Sequence, residues 1–348
     1  MDSNILWIEK YHPKSLDTLE YNHEIGKQLK ELLESEDFPH MLFYGSVGAG
    51  KRTLIHCLLR ELYGGKVDKM KGETREFEKG KSSKVECTVI SSPCHIEVTP
   101  SEAGNNDKVV VQKLIKEVAG SHAVGMVESQ KKFKIVVINE VDYLTKDAQA
   151  GLRRTMEKYM GNCRILMNCQ CISKVIEPLR SRSLLIRVPA PSYDEMERMC
   201  KKIATHESAS VSKEKVQEIV KKSKRNMRRA IMMLQTMIVN EEKGSVPVPQ
   251  YEAFTHEIAN DILKDQSPKQ LKEIREKFNE LLVKLVPPRE IFWILLNALL
   301  AKLSVSLDPE VLSTAAMYDH RAQIGSKAIM HLEAFTAKVM AIIKTGKK

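Results

Sequence analysis

The chain has 348 residues, 43% of them hydrophobic and 29% charged, the composition of an ordinary globular protein long enough for two or three domains. Lysine and arginine outnumber aspartate and glutamate 55 to 45, a formal charge of +10 that suits a polyanionic partner or simply a lysine-rich surface. Seven cysteines without a CxxC pair fit a reducing compartment and argue against a disulfide framework or a zinc site; no apolar run approaches a membrane span, and MDSNILWIEK lacks the order of a secretory signal.

The first element that carries chemistry is MLFYGSVGAGKRT, Met41 to Thr53. Four apolar residues read as a buried strand. Gly45, Ser46, Val47, Gly48, Ala49 and Gly50 follow as a loop whose glycines let backbone N–H groups close around a phosphate, and Lys51 adds a point charge. Leu54, Ile55, Leu58, Leu59 and Leu62 repeat at helical spacing, so the loop opens a helix whose N-terminus faces the anion. The pattern calls for Ser or Thr after the lysine, to place a hydroxyl on magnesium. Here that position is Arg52, and Thr53 comes one place late.

Next, Lys66 to Lys84 is charged, nearly free of apolar periodicity, and reads as an exposed hairpin or loop rather than a DNA site. Asn106-Asp107-Lys108 and Thr145-Lys146-Asp147 each look like the start of a helix whose N–H groups and lysine suit a phosphate; Lys108 and Lys146 are therefore either DNA-backbone contacts or solvated. Between them, FKIVVI (Phe133 to Ile138) suits a central parallel strand and ends in Asn139-Glu140-Val141-Asp142. The first acidic position of such a strand end holds magnesium, and here it is the neutral Asn139; Glu140, the water-activating position, is retained. Losing one transition-state contact of this kind costs about 3 kcal/mol, about a hundredfold in rate, and two metal ligands are altered. The expectation is a site that holds ATP or ADP, hydrolyses it poorly and binds magnesium weakly or not at all. No dedicated metal-ligating residues are expected.

Cys169 and Cys171 read as strand packing. After Ile186-Arg187-Val188 and the punctuating Pro189 and Pro191, only helical patterns occur: Met196, Met199, Cys200 and Ile203 on one face, Val216, Ile219 and Val220 on the next. SVPVPQ, Ser245 to Gln250, marks a second break. Beyond it, Ser267-Pro268 caps a helix with the stripe Leu271, Ile274, Phe278, Leu281 and Leu285, stopped by Pro287 and Pro288. Ile291 to Leu303 reads as a buried helix, and Ile329, Leu332, Phe335, Val339, Met340 and Ile343 mark the last one. The expected domains are 1–188, 189–245 and 246–348.

Several segments resemble the small subunits of replication factor C, a family of AAA+ clamp loaders. Trp7-Ile8-Glu9-Lys10-Tyr11-His12-Pro13 is similar to that family's WxxKYRP opening, with His12 in place of arginine. Ala148-Gln149 and Leu152-Arg153-Arg154-Thr155-Met156-Glu157 resemble its AQxxLRRTME helix, and Leu179-Arg180-Ser181-Arg182-Ser183 its RSRC segment, with serine for cysteine. Arg228 falls where the family carries the lid arginine called sensor 2, and Gln170 replaces its sensor 1 asparagine. The resemblance runs from Trp7 to GSKAIMHLEAF near the C-terminus, nearly the whole chain.

This resemblance implies an α/β P-loop (AAA+) domain with a parallel sheet, a small all-α lid and an all-α C-terminal collar domain, though the apolar faces of that last part also suit an internal core. It implies a nuclear hetero-oligomer with four other clamp-loader subunits, acting on the sliding clamp and primer–template DNA, with no membrane partner. By the same resemblance Ile8 and Glu20 contact the base, and Arg182 is the finger reaching a neighbour's ATP, where a guanidinium is worth three to five orders of magnitude in rate. The other reading of Arg182 is an ion pair at a strand edge. Arg153 and Arg154 divide between a neighbour contact and an internal ion pair. Two other function classes remain open at this stage: an independently active AAA+ remodelling ATPase, and a basic DNA-binding protein indifferent to nucleotide.

Overall fold

A computed structural model describes residues 5–34, 38–79, 83–120, 133–159, 163–209, 211–239, 246–303, 307–325 and 327–346. It forms two compact units, Met1–Val246 and Pro247–Lys348. Residues 80–82 of the expected hairpin, 240–244 and Ser245 of the second break lie outside the described residues.

The strands of the first unit are β1 (Met41–Tyr44), β2 (Lys71–Lys79), β3 (Ser83–Ser91), β4 (His95–Val98), β5 (Lys134–Ile138), β6 (Cys163–Cys169) and β7 (Leu184–Arg187). They form one sheet in the order β2-β3-β4-β5-β6-β1-β7. From β4 to β7 every neighbouring pair is parallel. Helices α1 (Trp7–Lys10), α2 (His23–Glu34), α3 (Lys51–Tyr63), α4 (Asp107–Gly120), α5 (Lys146–Tyr159) and α6 (Glu177–Arg180) accompany it. The uninterrupted apolar run of β5 follows from being covered on both sides: Ile135 and Val137 join a core with Ile55 and Leu58 of α3, while Val136 and Ile138 join one with Val111 and Leu114 of α4 and Leu152 of α5.

An antiparallel hairpin extends the expected parallel sheet. The sheet is mixed, because β2 and β3 pair antiparallel from Lys71↔Ser91 to Lys79↔Ser83 and β3 continues antiparallel onto β4. The expected exposed hairpin is present: the described residues between Lys66 and Lys84 are mostly exposed, while Phe77 and, on β3 beyond that segment, Val85, Cys87 and Val89 join the core. Cys169 is buried in β6 as expected, but Cys171 lies beyond the strand end and is exposed, its Sγ 3.0 Å from Ser173 Oγ.

Helices α7 (Tyr193–His206), α8 (Lys213–Lys222) and α9 (Met227–Val239) close this unit. A capping box of Ser192 and Glu195 starts α7. Met196, Cys200, Ile203, Val216, Ile219 and Leu234 bury together, and Trp7 joins them. The N-terminal segment is stapled down there: Trp7 N–H donates to Gln235 Oε1 (3.1 Å), and Lys10 Nζ and Tyr11 Oη donate to Glu207 Oε1 (2.7 and 2.6 Å).

The second unit contains α10 (Gln250–Lys264), α11 (Pro268–Val283), α12 (Pro288–Leu300), α13 (Asp308–Ile324) and α14 (Ala328–Gly346). Ser267 Oγ caps α11 by accepting from Gln270 N–H. Ile274, Phe278, Leu281, Ile291, Leu295, Leu332, Phe335 and Val339 form an internal core, with the rings of Phe292 and Phe335 4.5 Å apart. Leu285 departs from the expected stripe. It lies beyond the end of α11 at φ 59° and is 88% exposed.

His40, just before β1, gives a pH test of the sheet. Its Nδ1 accepts the Ile165 N–H at 3.0 Å, tying the start of β1 to β6, and burial, helped by Arg164, pushes its pKa down to about 4. The unfolded chain takes up this proton near pH 6.5 and the folded chain only near 4, so stability is lost as pH falls through that window, by up to about 1.4 kcal/mol per unit. His40→Gln is expected to flatten the fall of the denaturation midpoint between pH 6.5 and 4; an unchanged slope would contradict a neutral, hydrogen-bonded His40.

Candidate functional site

The loop from Gly45 to Gly50 joins β1 to α3, and its conformation is set by close approach to the lid helices. Gly48, at φ 73°, donates no side chain where one would not fit: a Cβ there would lie 2.0 Å from Asn226 Oδ1. Asn226 Oδ1 caps α9 by accepting from Arg229 N–H at 3.2 Å, and Met227 N–H donates to the Gly48 carbonyl at 3.3 Å. The start of α9 is thereby held against the loop.

A cavity of about 450 Å³ opens at this junction, and Ile8, Glu20, Gly48, Ala49, Gly50, Arg52, Thr53 and Arg228 all line it, together with His12, Tyr21 and His56. Gly45, Ser46, Val47, Lys51, Glu140 and Gln170 do not line it. Lys51 folds over the loop, its Nζ donating to the carbonyls of Gly45 and Ser46 at 2.8 Å each, and burial lowers its pKa. Gln170 contributes backbone: its N–H and that of Cys171 donate to the buried Asp142 carboxylate at 3.2 and 3.1 Å, while its side chain is exposed. A glycine cradle, an adjacent cavity of this size and two cations, Lys51 and Arg228, fit a nucleotide's phosphates and base.

The two altered positions meet on one group that the sequence did not single out. Glu97 on β4 is 2% exposed, yet its Oε1 is ion-paired with Arg52 Nε at 2.7 Å and accepts from Asn139 Nδ2 at 2.7 Å. Asn139 Oδ1 accepts in turn from Asn168 Nδ2, and Asn168 Oδ1 accepts the Glu140 N–H at 3.2 Å. Sheet order makes this possible: β4, β5 and β6 are adjacent, so residues at or just past their C-terminal ends lie side by side. Burial opposes charge on Glu97, but His56, Arg52 and Asn139 overcome it and hold its pKa down at about 2. The chain of contacts ends at Glu140, which is exposed and held at φ 55°, a left-handed conformation uncommon for any residue but glycine. The donor set does not fit magnesium in its ordinary place: the hydroxyl position is a guanidinium already spent on Glu97, and the carboxylate position is an amide.

The remaining candidates lie elsewhere. Arg182, past the end of α6, is exposed and donates through Nε to Glu157 Oε1 of α5 at 2.8 Å; Arg153 approaches the same carboxylate at 3.9 Å, and Arg154 is exposed. Lys108 and Lys146 are exposed in the first turns of α4 and α5. Buried Asp107 ties these two helix starts together, accepting from Lys108 N–H (2.7 Å), Thr145 N–H (2.6 Å) and Thr145 Oγ1 (2.9 Å). Thr145 Oγ1 also caps α5 through Ala148 N–H at 3.2 Å, as its sequence suggests.

Comparison with known proteins gives a consistent picture. A family model described as the C-terminal domain of replication factor C subunit 3 matches residues 251–347, an RCF1/5-like AAA+ ATPase lid domain matches 200–239, and a DNA polymerase III delta subunit matches 21–192. Replication factor C subunit 3 of Mus musculus is 44% identical over 97% of this chain and 96% of its own length. That of Arabidopsis thaliana is 42% identical over 98% of both chains, and replication factor C subunit 5 of Schizosaccharomyces pombe 39% over 98% of both. Among solved structures, the RuvB Holliday junction branch migration motor of Thermotoga maritima superposes with a TM-score of 0.50 at 16% identity, covering 77% of this chain and 85% of its own, a likeness of fold alone.

The network around Glu97 predicts matched penalties. Arg52→Ala leaves a buried carboxylate short of its cation and is expected to lower stability by about 1–3 kcal/mol; Asn139→Asp sets a second carboxylate against it, with a loss of similar size. Urea denaturation reads both. Changes below about 0.5 kcal/mol in both variants, the level of an ordinary surface substitution, would contradict the network.

Proposed function

Because the chain belongs to the replication factor C subunit 3 and 5 family of AAA+ proteins, we propose that it is one of five subunits of a nuclear clamp loader that opens the sliding clamp and places it on primer–template DNA. In this reading the chain binds ATP or ADP between the P-loop and the lid without hydrolysing it, magnesium playing little part, and lends Arg182 to the ATP of a neighbour. The segments 1–188, 189–245 and 246–348 serve as nucleotide domain, lid and collar.

The observation that carries this reading is the pairing of Arg52 with Glu97, since it occupies the position from which a hydroxyl would hold magnesium with an internal cation. An independently hydrolysing AAA+ enzyme is disfavoured on the same ground. Arg182 suits a role in trans because its present contact is an ion pair between half-exposed side chains, worth roughly 0–1 kcal/mol, which a triphosphate easily outcompetes. Lys108 and Lys146 suit contact with the DNA backbone because Asp107 binds the first turns of α4 and α5 into one rigid platform, with both lysines exposed on it.

The two arginine and lysine sites separate in an assembled complex. Arg182→Ala is expected to lower the clamp- and DNA-stimulated ATPase of the pentamer by at least a hundredfold at the site it serves, with nucleotide still retained by the chain. Lys51→Ala is expected to reduce nucleotide retention or assembly while leaving turnover at the other sites within a few fold. Equal and severe losses of hydrolysis in both would contradict the division of labour.

A further inference from the structure

Behind the cavity lies a second constellation, built on histidine rather than on the cysteines. His56 on α3 and His95 and Glu97 on β4 bring one ring nitrogen of each histidine and a carboxylate oxygen within 4.8 Å of one another. His95 is 1% exposed and Glu97 2%, and among the described residues neither His95 Nε2 nor Glu97 Oε2 has a hydrogen-bond partner. Buried polar atoms are rarely left so, and here both belong to one cluster, with His56 Nε2 3.5 Å from the same Oε2. Arg52 and Asn139 engage only the other oxygen, Oε1.

We propose that His56 Nε2, His95 Nε2 and Glu97 Oε2 form a binding site for a transition-metal dication of the Zn²⁺ class. Two imidazoles and a carboxylate are a borderline donor set that suits Zn²⁺ and its neighbours and not magnesium. His95 Nδ1 lies 2.7 Å from Ser92 Oγ, which can also donate to the His95 carbonyl at 3.2 Å; the tautomer that a metal selects has Nδ1–H donating to the serine and the Nε2 lone pair on the ion. Burial keeps His95 neutral, its pKa pushed down to about 4. A tetrahedral ion with bonds of about 2.0–2.1 Å sets its ligands roughly 3.4 Å apart, so the cluster contracts on binding. His56 supplies that movement, since its side chain retains some exposure and lines the cavity, through which an ion enters and toward which the fourth ligand position opens. The rings of His12 and His95 flank His56 at 6.4 and 6.3 Å. Arg52 adds a repelling charge nearby, so affinity below that of a structural zinc site is expected.

The test uses the full chain, dialysed against chelator, titrated with Zn²⁺ in competition with a chromophoric indicator and with Co²⁺ followed by visible absorption. One saturable equivalent per chain is expected, at least tenfold weaker in both His56→Leu and His95→Gln and unchanged in Cys171→Ser, with circular dichroism checking that each variant folds. Should His95→Gln not fold, His56→Leu decides, because that side chain is not fully buried. Absence of saturable binding, or affinity kept within twofold in every folded histidine variant, would overturn the site.

Discussion

A carboxylate held almost wholly out of water, as Glu97 is, must be given positive charge or donors from within the protein, and that requirement organises this end of the sheet. Arg52 and Asn139 answer it together. A serine or threonine at position 52 would leave Glu97 without its guanidinium, and an aspartate at position 139 would place like charges on adjacent strands. The two departures from the usual nucleotide-site pattern are thus one coupled change, and Asn168 carries it on to the backbone of Glu140.

The same end of the sheet is where the lid attaches. Gly48 packs directly against Asn226, Met227 N–H donates to the Gly48 carbonyl, and Trp7 and Tyr11 fasten the N-terminal segment to the lid helices. A nucleotide in the adjoining cavity would touch all three segments at once. On the proposed function, its binding energy would hold loop, lid and N-terminal segment in one arrangement, a structural use of nucleotide that needs no turnover.

Much of this was legible in the sequence because it is local. The P-loop, the strand ending in Asn139, the caps at Thr145 and Ser267 and the apolar stripes of the helices each sit within one short window, and the family resemblance gathers them. The meaning of Glu97, His95 and Asn168 depends on which elements are neighbours: the β4-β5-β6 order brings Glu97 and Asn168 to Asn139, and the packing of α3 brings Arg52 and His56 to β4. A signal was present in HIEV, where an acid sits inside a strand that reads as buried. The hairpin is legible as exposed from Lys66 to Lys84, and the inward-facing Val85, Cys87 and Val89 follow that segment on β3. Arg182 could be named from the family's motif, but its partner Glu157 lies in a different element and is set by packing.

With Arg52 standing where a magnesium-holding hydroxyl would and pairing instead with Glu97, the proposed function has nucleotide bind without help from a divalent cation. The most direct measurement is the affinity of the purified chain for ATP and ADP by calorimetry, with Mg²⁺ and with chelator. The expected result is dissociation constants that agree within about threefold in the two conditions; tightening of tenfold or more by Mg²⁺, about 1.4 kcal/mol, would contradict it.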